Sequence, residues 1–380
     1  MNNKRNTKRQ VRIKSVTIQG FRSLRNIEQL ELPQLAVLIG GNGAGKSTLI
    51  RFFEMLGWMM KGRNLREFVL RNGGADDQLF LGAKITPQIH AELVLTTGAG
   101  TNEYRFDLVR RNANDDFFIK DEAFRFSDKA YGTSAPWREL SDIGLEASLP
   151  DQTDQTAQTI LRLLKGCATF QFHDTSPNAK LHTRWDVSDG FWLRNDGGNL
   201  AAVLLNLQRA EPKRYALIVK QIERVLPQFQ NFVLEEEYGK VLLRWRTRHG
   251  DKIIGSHLTS DGSLRLFCLI TLLNLPEKQL PDILMFDEPE LGLHPHAITL
   301  IAAMIKRVAQ TRQVFLATQS PYFVDCFDLE NIIIASSQEG ETRLHNLPAE
   351  QYRQWLNDDY GISDIWLEQA ISDNGIGGAT

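Results

Sequence analysis

The chain has 380 residues, 42% hydrophobic and 24% charged, enough to bury a full core as one large domain or two lobes of one, so a globular protein is expected. Net charge is −2, from 44 Lys and Arg against 46 Asp and Glu. No apolar run reaches transmembrane length and Met1 to Arg5 lead into no hydrophobic signal region, which argues against a membrane-spanning or exported chain and for a cytoplasmic one.

The first 14 residues carry Lys4, Arg5, Lys8, Arg9, Arg12 and Lys14 with no acid. Residues 1–10 therefore read as a basic flexible tail, either an arm for nucleic-acid phosphates or a solvated, solubilising end. Alternating Val11, Ile13, Val16 and Ile18 predict a strand that runs into Gly20-Phe21-Arg22-Ser23-Leu24-Arg25. A second strand, Leu35 to Ile39, ends at Gly40-Gly41-Asn42-Gly43-Ala44-Gly45-Lys46-Ser47, which fits G-x-x-x-x-G-K-[ST] at every required position. A loop wrapping a triphosphate must turn its amide N–H groups inward, and glycines let the backbone approach closely. Lys46 is placed for the β- and γ-phosphates and Ser47 for Mg²⁺, while Leu49, Phe52, Phe53 and Leu56 predict a helix whose positive end faces the anion.

Between residues 88 and 126, runs such as Ile89 to Leu95 and Tyr104 to Val109 alternate like antiparallel strands with one wet face, a β-subdomain. Residues 127–156 are polar and turn-rich and read as a mobile surface insertion. Residues 198–226 carry two helical faces, and 231–247 read as a hairpin around Tyr238-Gly239-Lys240. The last third alternates strand, helix, strand, the mark of a largely parallel sheet. Cys167, Cys268 and Cys326 are far apart and read as packing residues.

Ile283-Leu284-Met285-Phe286-Asp287-Glu288 is an apolar strand ending in two acids, the form of a Walker B segment. Asp287 would hold Mg²⁺ and Glu288 would polarise the attacking water. Upstream stands Leu258-Thr259-Ser260-Asp261-Gly262-Ser263, and downstream Pro289-Glu290-Leu291-Gly292-Leu293-His294-Pro295 and then Thr318-Gln319-Ser320. Ser260-Asp261-Gly262 alone is also the pattern of an ordinary turn and helix cap, but its position before the Walker B strand favours a signature motif. His294 and His296 are spaced like a metal pair, but a turn and helix start is the better reading.

In this order the motifs resemble the ATP-binding-cassette class of ATPases, and within it the RecF, SMC and Rad50-like heads and the OLD-like predicted AAA ATPases. Gly20 to Leu24 ahead of Gly40 to Thr48 looks like the RecF-type amino-terminal strand and Walker A; Asp287 to Pro295 looks like the joined Walker B and D-loop. The resemblance implies an α/β fold: an ABC-type P-loop head with a mixed or parallel sheet core, an antiparallel β-subdomain and a helical lobe. The ATP-binding lobe would take residues 11–175 with 280–350, the helical signature lobe 176–279, and a C-terminal extension 351–380.

It further implies an Mg²⁺-dependent ATPase. ATP would lie against Arg22, Ser23, Asn42, Gly43, Ala44, Gly45, Lys46, Ser47 and Thr48, the metal at Ser47 and Asp287 with Gln171 or His173 as the Q-loop residue, and Glu288 with Gln319 at the chemistry. Two heads would close on ATP, Ser260 and Gly262 of one reaching the γ-phosphate held by the other. Asp261 stands where transporter cassettes carry glycine, and Gln319 where a switch histidine is usual; an amide cannot take up a proton, so Glu288 carries the base role alone. With no heptads or Cys-x-x-Cys hook between Walker A and the signature, a long coiled-coil arm is not expected, nor is a carboxy-terminal nuclease domain after residue 350. Expected partners are a second copy, DNA, or a separately encoded effector or nuclease, in DNA repair or antiviral defence. The alternative is the ATPase subunit of a membrane transporter.

Overall fold

The computed structural model describes residues 12–62, 64–98, 100–111, 113–128, 133–140, 144–250, 252–348 and 361–366; the basic tail lies outside them, as does most of the extension. Two compact units divide the chain. Unit 1 comprises residues up to Ala168, Asp282–Met285 and from Ala309 onward; unit 2 comprises Thr169–Pro281 and Phe286–Val308. The division departs from the sequence boundaries at 169–175 and 286–308, which belong with the signature lobe because Phe170 stacks on Phe286 and Arg265 binds the carbonyl of Leu291.

Two sheets lie wholly or mainly in unit 1. In the first, strands β1 (Arg12–Phe21), β2 (Leu24–Glu31), β4 (Gln88–Thr96), β5 (Gly100–Arg111), β6 (Asp116–Asp128) and β7 (Thr133–Ser134) lie in the order β2-β1-β4-β5-β6-β7, with β8 (Arg138–Glu139) also on β6; neighbours are antiparallel. Strand β4 alternates strictly, burying Ile89, Ala91, Leu93 and Leu95. In the second, β3 (Leu35–Ile39), β9 (Cys167–Phe170), β16 (Ile283–Asp287), β17 (Gln313–Thr318), β18 (Ile332–Gln338) and β19 (Glu341–Asn346) lie in the order β19-β18-β3-β17-β16-β9. Here β3 is buried at every residue and pairs in parallel with both β17 and β18, as a central strand covered on two faces must be.

Helix α1 (Lys46–Gly62) reaches both sheets through two adjacent phenylalanines. Successive helical side chains diverge by about 100°. Phe52 accordingly stacks on Phe106 of β5 (centroids 6.5 Å apart) and Phe53 on Phe315 of β17 (5.3 Å). Beside α1 stand α2 (Leu65–Arg71) and α3 (Gln155–Lys165). The sheets are also joined by an amide: Gln313 Oε1 accepts from Ile13 N (2.9 Å) and its Nε2 donates to Ile13 O (2.8 Å), a strand-like pairing made by a side chain.

Among the described parts of 127–156 only Ala147 and Leu149 are buried, so the segment lies at the surface as its polarity suggests, but it is anchored. Strand β8 pairs with β6, and the buried Glu122 carboxylate accepts from Ser148 N (2.7 Å) and Leu149 N (3.1 Å), drawing Leu149 fully into the core. A buried acceptor supplies what the backbone there lacks.

Across β4 and β5, His90 faces Asp107, with Nδ1 and Oδ1 2.6 Å apart. That hydrogen bond, opposed by burial, raises the imidazole above its ordinary 6.5. A raised folded-state pKa stabilises fully below the unfolded value and the effect is lost as pH rises through the folded one. The stability gap between wild type and His90→Asn should therefore be wider at about pH 5.5 than at about pH 8.5 by urea unfolding; equal gaps would contradict this.

Unit 2 contains α4 (Leu200–Ala210), α5 (Pro212–Val225), α6 (Asp261–Leu273) and most of α7 (Pro295–Ala309). The expected hairpin forms: β12 (Glu236–Glu237) and β13 (Lys240–Val241) flank Tyr238 and Gly239, both at positive φ (52° and 73°) as a tight two-residue turn requires. Its base is paired too, Phe232 opposite Trp245, in the same register as Glu236 opposite Val241. Strand β13 pairs with β10 (Trp185–Asp186), while β11 (Phe229–Phe232) pairs with β14 (Arg244–Thr247) and that with β15 (Ile253–Gly255), making two three-stranded sheets. Phe229, Phe232 and Trp245 surround Phe267, which seats α6.

Candidate functional site

In unit 1 the chain leaves β3 at Ile39 and turns through Gly40 to Gly45 into α1. Gly45 has φ +90°, and a Cβ there would fall 1.9 Å from Thr342 Oγ1, so only glycine fits. Thr48 N and Leu49 N donate to Gly45 O (3.0 and 3.3 Å) and Ala44 N to Gly41 O (3.3 Å), which closes the first turn on the loop. Lys46 is 5% exposed, and its ammonium donates to Gly40 O (2.8 Å) and Gly41 O (2.9 Å) from beneath the loop. Asn42, Gly43 and Ser47 are exposed and Ala44 is buried. The loop thus presents backbone N–H groups, a helix start and a buried cation, a setting for a polyanion.

Three further residues join it within unit 1. Parallel pairing sets Thr318 against Ile39, so Gln319 follows where the loop begins. Ser23 donates to Thr48 Oγ1 at 3.2 Å. Arg22, at φ +48°, donates through Nε to Gln78 Oε1 (2.9 Å); burial, then the neighbouring Arg51, pushes its guanidinium down from its ordinary range, so an anion beside it would be favourable.

In unit 2, the acids follow an apolar strand: Ile283 to Phe286 are buried, and Asp287 and Glu288 are half-buried. Glu288 sits at φ +46°, uncommon for a residue with a side chain and worth about 1–3 kcal/mol of backbone strain. The turn after it closes through Leu291 N to Glu288 O at 3.2 Å. Ser260 caps α6, accepting from Ser263 N. A Cβ on Gly262 would lie 2.4 Å from Gly292 O, so the start of α6 and the loop after β16 touch backbone to backbone.

Of the two Q-loop candidates, His173 makes the contact: its Nε2 lies 2.9 Å from Asp287 O, whereas Gln171 is held through its backbone, N to Asn195 O at 3.0 Å. Arg265, which sequence reasoning missed, ties these pieces together by donating to Phe172 O (3.2 Å), His173 O (3.3 Å) and Leu291 O (3.0 Å). Its one sequence signal is a cation on an otherwise apolar helix. His294 and His296 stack at 5.4 Å where α7 begins, and among the described residues no three His, Cys, Asp or Glu side chains gather as metal ligands. Cys167 and Cys268 are buried with raised thiol pKa, Cys167 to about 12, while Cys326 is only partly covered.

A search of curated proteins gives no match. Among solved structures the chain is similar to an Smc head bound to the C-winged helix domain of ScpA, with 13% identity, 90% of this chain and 99% of that chain covered and a TM-score of 0.57. It is also similar to an Smc head domain with an extended coiled coil bound to the C-terminal domain of ScpA, derived from Pyrococcus furiosus (13% identity, 92% and 99% covered, TM-score 0.54). At that identity the likeness speaks for the fold, that of a P-loop ATPase head of the SMC kind. A family description matches residues 35–325, from the start of β3 to just past α8 (Pro321–Val324), and takes in every site residue named above except Arg22, Ser23 and Thr342. The chain therefore belongs to the AAA_21 family, described as "AAA domain, putative AbiEii toxin, Type IV TA system".

Proposed function

We propose that the protein binds and hydrolyses ATP with Mg²⁺, closes as a homodimer on ATP, and in the closed state engages DNA or a separate effector in DNA repair or antiviral defence. The observation that carries this reading is the complete phosphate loop between β3 and α1, with Lys46 buried beneath it. Phosphoryl transfer to water asks mainly for positioning and charge neutralisation. Lys46 would meet the β- and γ-phosphates and Asn42 to Thr48 would line them, with Arg22 and Ser23 alongside. Ser47 and Asp287 are hard oxygen donors and fit Mg²⁺, which characteristically takes one or two protein ligands plus phosphate oxygens. Gln171 is the third metal candidate, through water. Bound there, the metal would neutralise developing charge. Glu288 would accept the proton of the attacking water, and Gln319 would orient that water without taking its proton.

Ser260 and Gly262 would serve the nucleotide of a second copy: the 13-residue α6 offers the free N–H groups of a helix start, capped by a serine hydroxyl. The family description names a putative toxin of a toxin–antitoxin system, and the similar Smc heads are bound to domains of ScpA. Both support a protein whose ATP state is read by another macromolecule. Among the described residues no helix is long and apolar enough to cross a membrane, and no observation favours the transporter alternative.

Phosphate release from ATP, with and without Mg²⁺ and duplex DNA and at low and high salt, tests the reading. Mg²⁺-dependent hydrolysis is expected, with any DNA stimulation fading as salt rises. Absence of both nucleotide binding and hydrolysis would overturn it.

A further inference from the structure

We propose that Thr342, far along the chain from the phosphate loop, is a positioning residue of the nucleotide site that orients the hydroxyl of Thr48 through Ser23. The inference rests on the reading of Gly40 to Thr48 as a nucleotide loop.

Thr342 is fully buried on the edge strand β19. Its backbone N donates to Ser23 O (2.7 Å), its Oγ1 donates to Ser23 Oγ (2.8 Å), and Ser23 Oγ donates to Thr48 Oγ1 (3.2 Å). Each hydroxyl has a single proton to give. With Thr342 giving its proton to Ser23 and Ser23 giving its own to Thr48, the chain has a direction, and the proton of Thr48 is left to point outward. Thr48 stands on the first turn of α1 and its hydroxyl makes no other hydrogen bond among the described residues. A proton so aimed strengthens when its acceptor is an anion such as a phosphate oxygen. Without the Thr342 hydroxyl, Ser23 regains a lone pair toward Thr48, and the Thr48 proton can turn inward.

Shape supports the same role. A Cβ on Gly45 would lie 1.9 Å from Thr342 Oγ1 and 2.7 Å from its Cγ2, so the threonine side chain fills the space that the loop glycine leaves. The other arm of the hairpin, β18, presses on the loop's first residue, where a Cβ on Gly40 would lie 2.2 Å from Ala335 O. The β18–β19 hairpin is thus a wall of the loop, and Thr342 sets a hydroxyl in that wall.

The test is titration with fluorescent N-methylanthraniloyl-ADP, together with steady-state ATP hydrolysis. Thr342→Val keeps the shape and removes the proton; it should raise the ADP Kd and the ATP KM about 5–20-fold, part of the worth of one hydrogen bond to a charged group because the Thr48 hydroxyl itself remains, with kcat within about 2-fold. Thr342→Ser should restore binding to within about 3-fold, which a purely packing role for the methyl would not do. Ser23→Ala leaves the hairpin intact, should weaken binding as much as Thr342→Val, and should not add to it in the double variant because the relay is already cut. Wild-type affinity in Ser23→Ala or in folded Thr342→Val, or additive losses, would overturn the proposal. If the wild-type protein binds no nucleotide, the nucleotide reading itself fails, which is a different outcome.

Discussion

In Glu288→Gln, ATP turnover should fall about 10²–10⁴-fold, the range that a positioned general base supplies, while nucleotide affinity stays within a few-fold of wild type. The substitution preserves size and the ability to hydrogen-bond and removes only the capacity to take a proton. The residue follows a strand buried from Ile283 to Phe286, and its backbone is held at φ +46°. Strain of that kind persists where surrounding structure imposes it, and here the turn closed by Leu291 N does so. Gln319 does not compensate, because an amide cannot accept the proton. Single-turnover phosphate release separates the two effects: a variant that loses binding and turnover together would mean that Glu288 holds the nucleotide instead of activating water.

Lys46→Met should weaken ATP and ADP binding about 10–100-fold or more, equivalent to about 1.5–3 kcal/mol for a charged hydrogen bond, and hydrolysis should disappear with it. Methionine retains most of the buried stem, so packing beneath the loop is largely kept. What goes is the ammonium, which donates to Gly40 O and Gly41 O and is the sole side-chain cation of the Gly40–Thr48 segment. Thermal unfolding without nucleotide should move only modestly, whereas the stabilisation that ATP confers on the wild type should vanish. A Lys46→Met protein still stabilised by ATP would place the nucleotide elsewhere.

Much of this site was legible in the sequence because its chemistry is local. The phosphate loop needs glycines at set spacings, the strand ending in Asp287-Glu288 declares itself by an apolar run meeting two acids, and Ser260 caps a helix by a short-range rule. The alternation of β4 and the helical faces of α4 and α5 were likewise readable from period alone. What escaped was long-range. Gln313 completes a strand pairing with Ile13 across 300 residues, and nothing near either position announces it. The described part of 127–156 lies at the surface as its polarity suggests, but its anchor was not readable, because the acceptor that organises Ser148 and Leu149, Glu122, lies outside that stretch. Arg265 and Thr342 were missed for the same reason: the partners of each come from distant segments, and nothing on α6 or on the polar strand β19 singles either out for that role.

The shift of 286–308 into unit 2 also bears on function. Sequence order groups Asp287 and Glu288 with the phosphate loop, yet within unit 2 they stand with His173, Arg265 and the start of α6, joined by backbone carbonyls and the close approach of Gly262 to Gly292. In the proposed switch, a change at the capped end of α6 would pass to the loop after β16 through that close approach.

The most direct test of that switch is the mass of the Glu288→Gln protein by analytical ultracentrifugation in Mg²⁺ with ATP and with ADP. Since ATP would be held at one copy's phosphate loop and by Ser260 and Gly262 of the other, a stable dimer in ATP and a monomer in ADP are predicted, with the ATP dimer abolished in the Ser260→Arg double variant. A monomer in ATP that nevertheless binds the nucleotide with wild-type affinity would contradict the account.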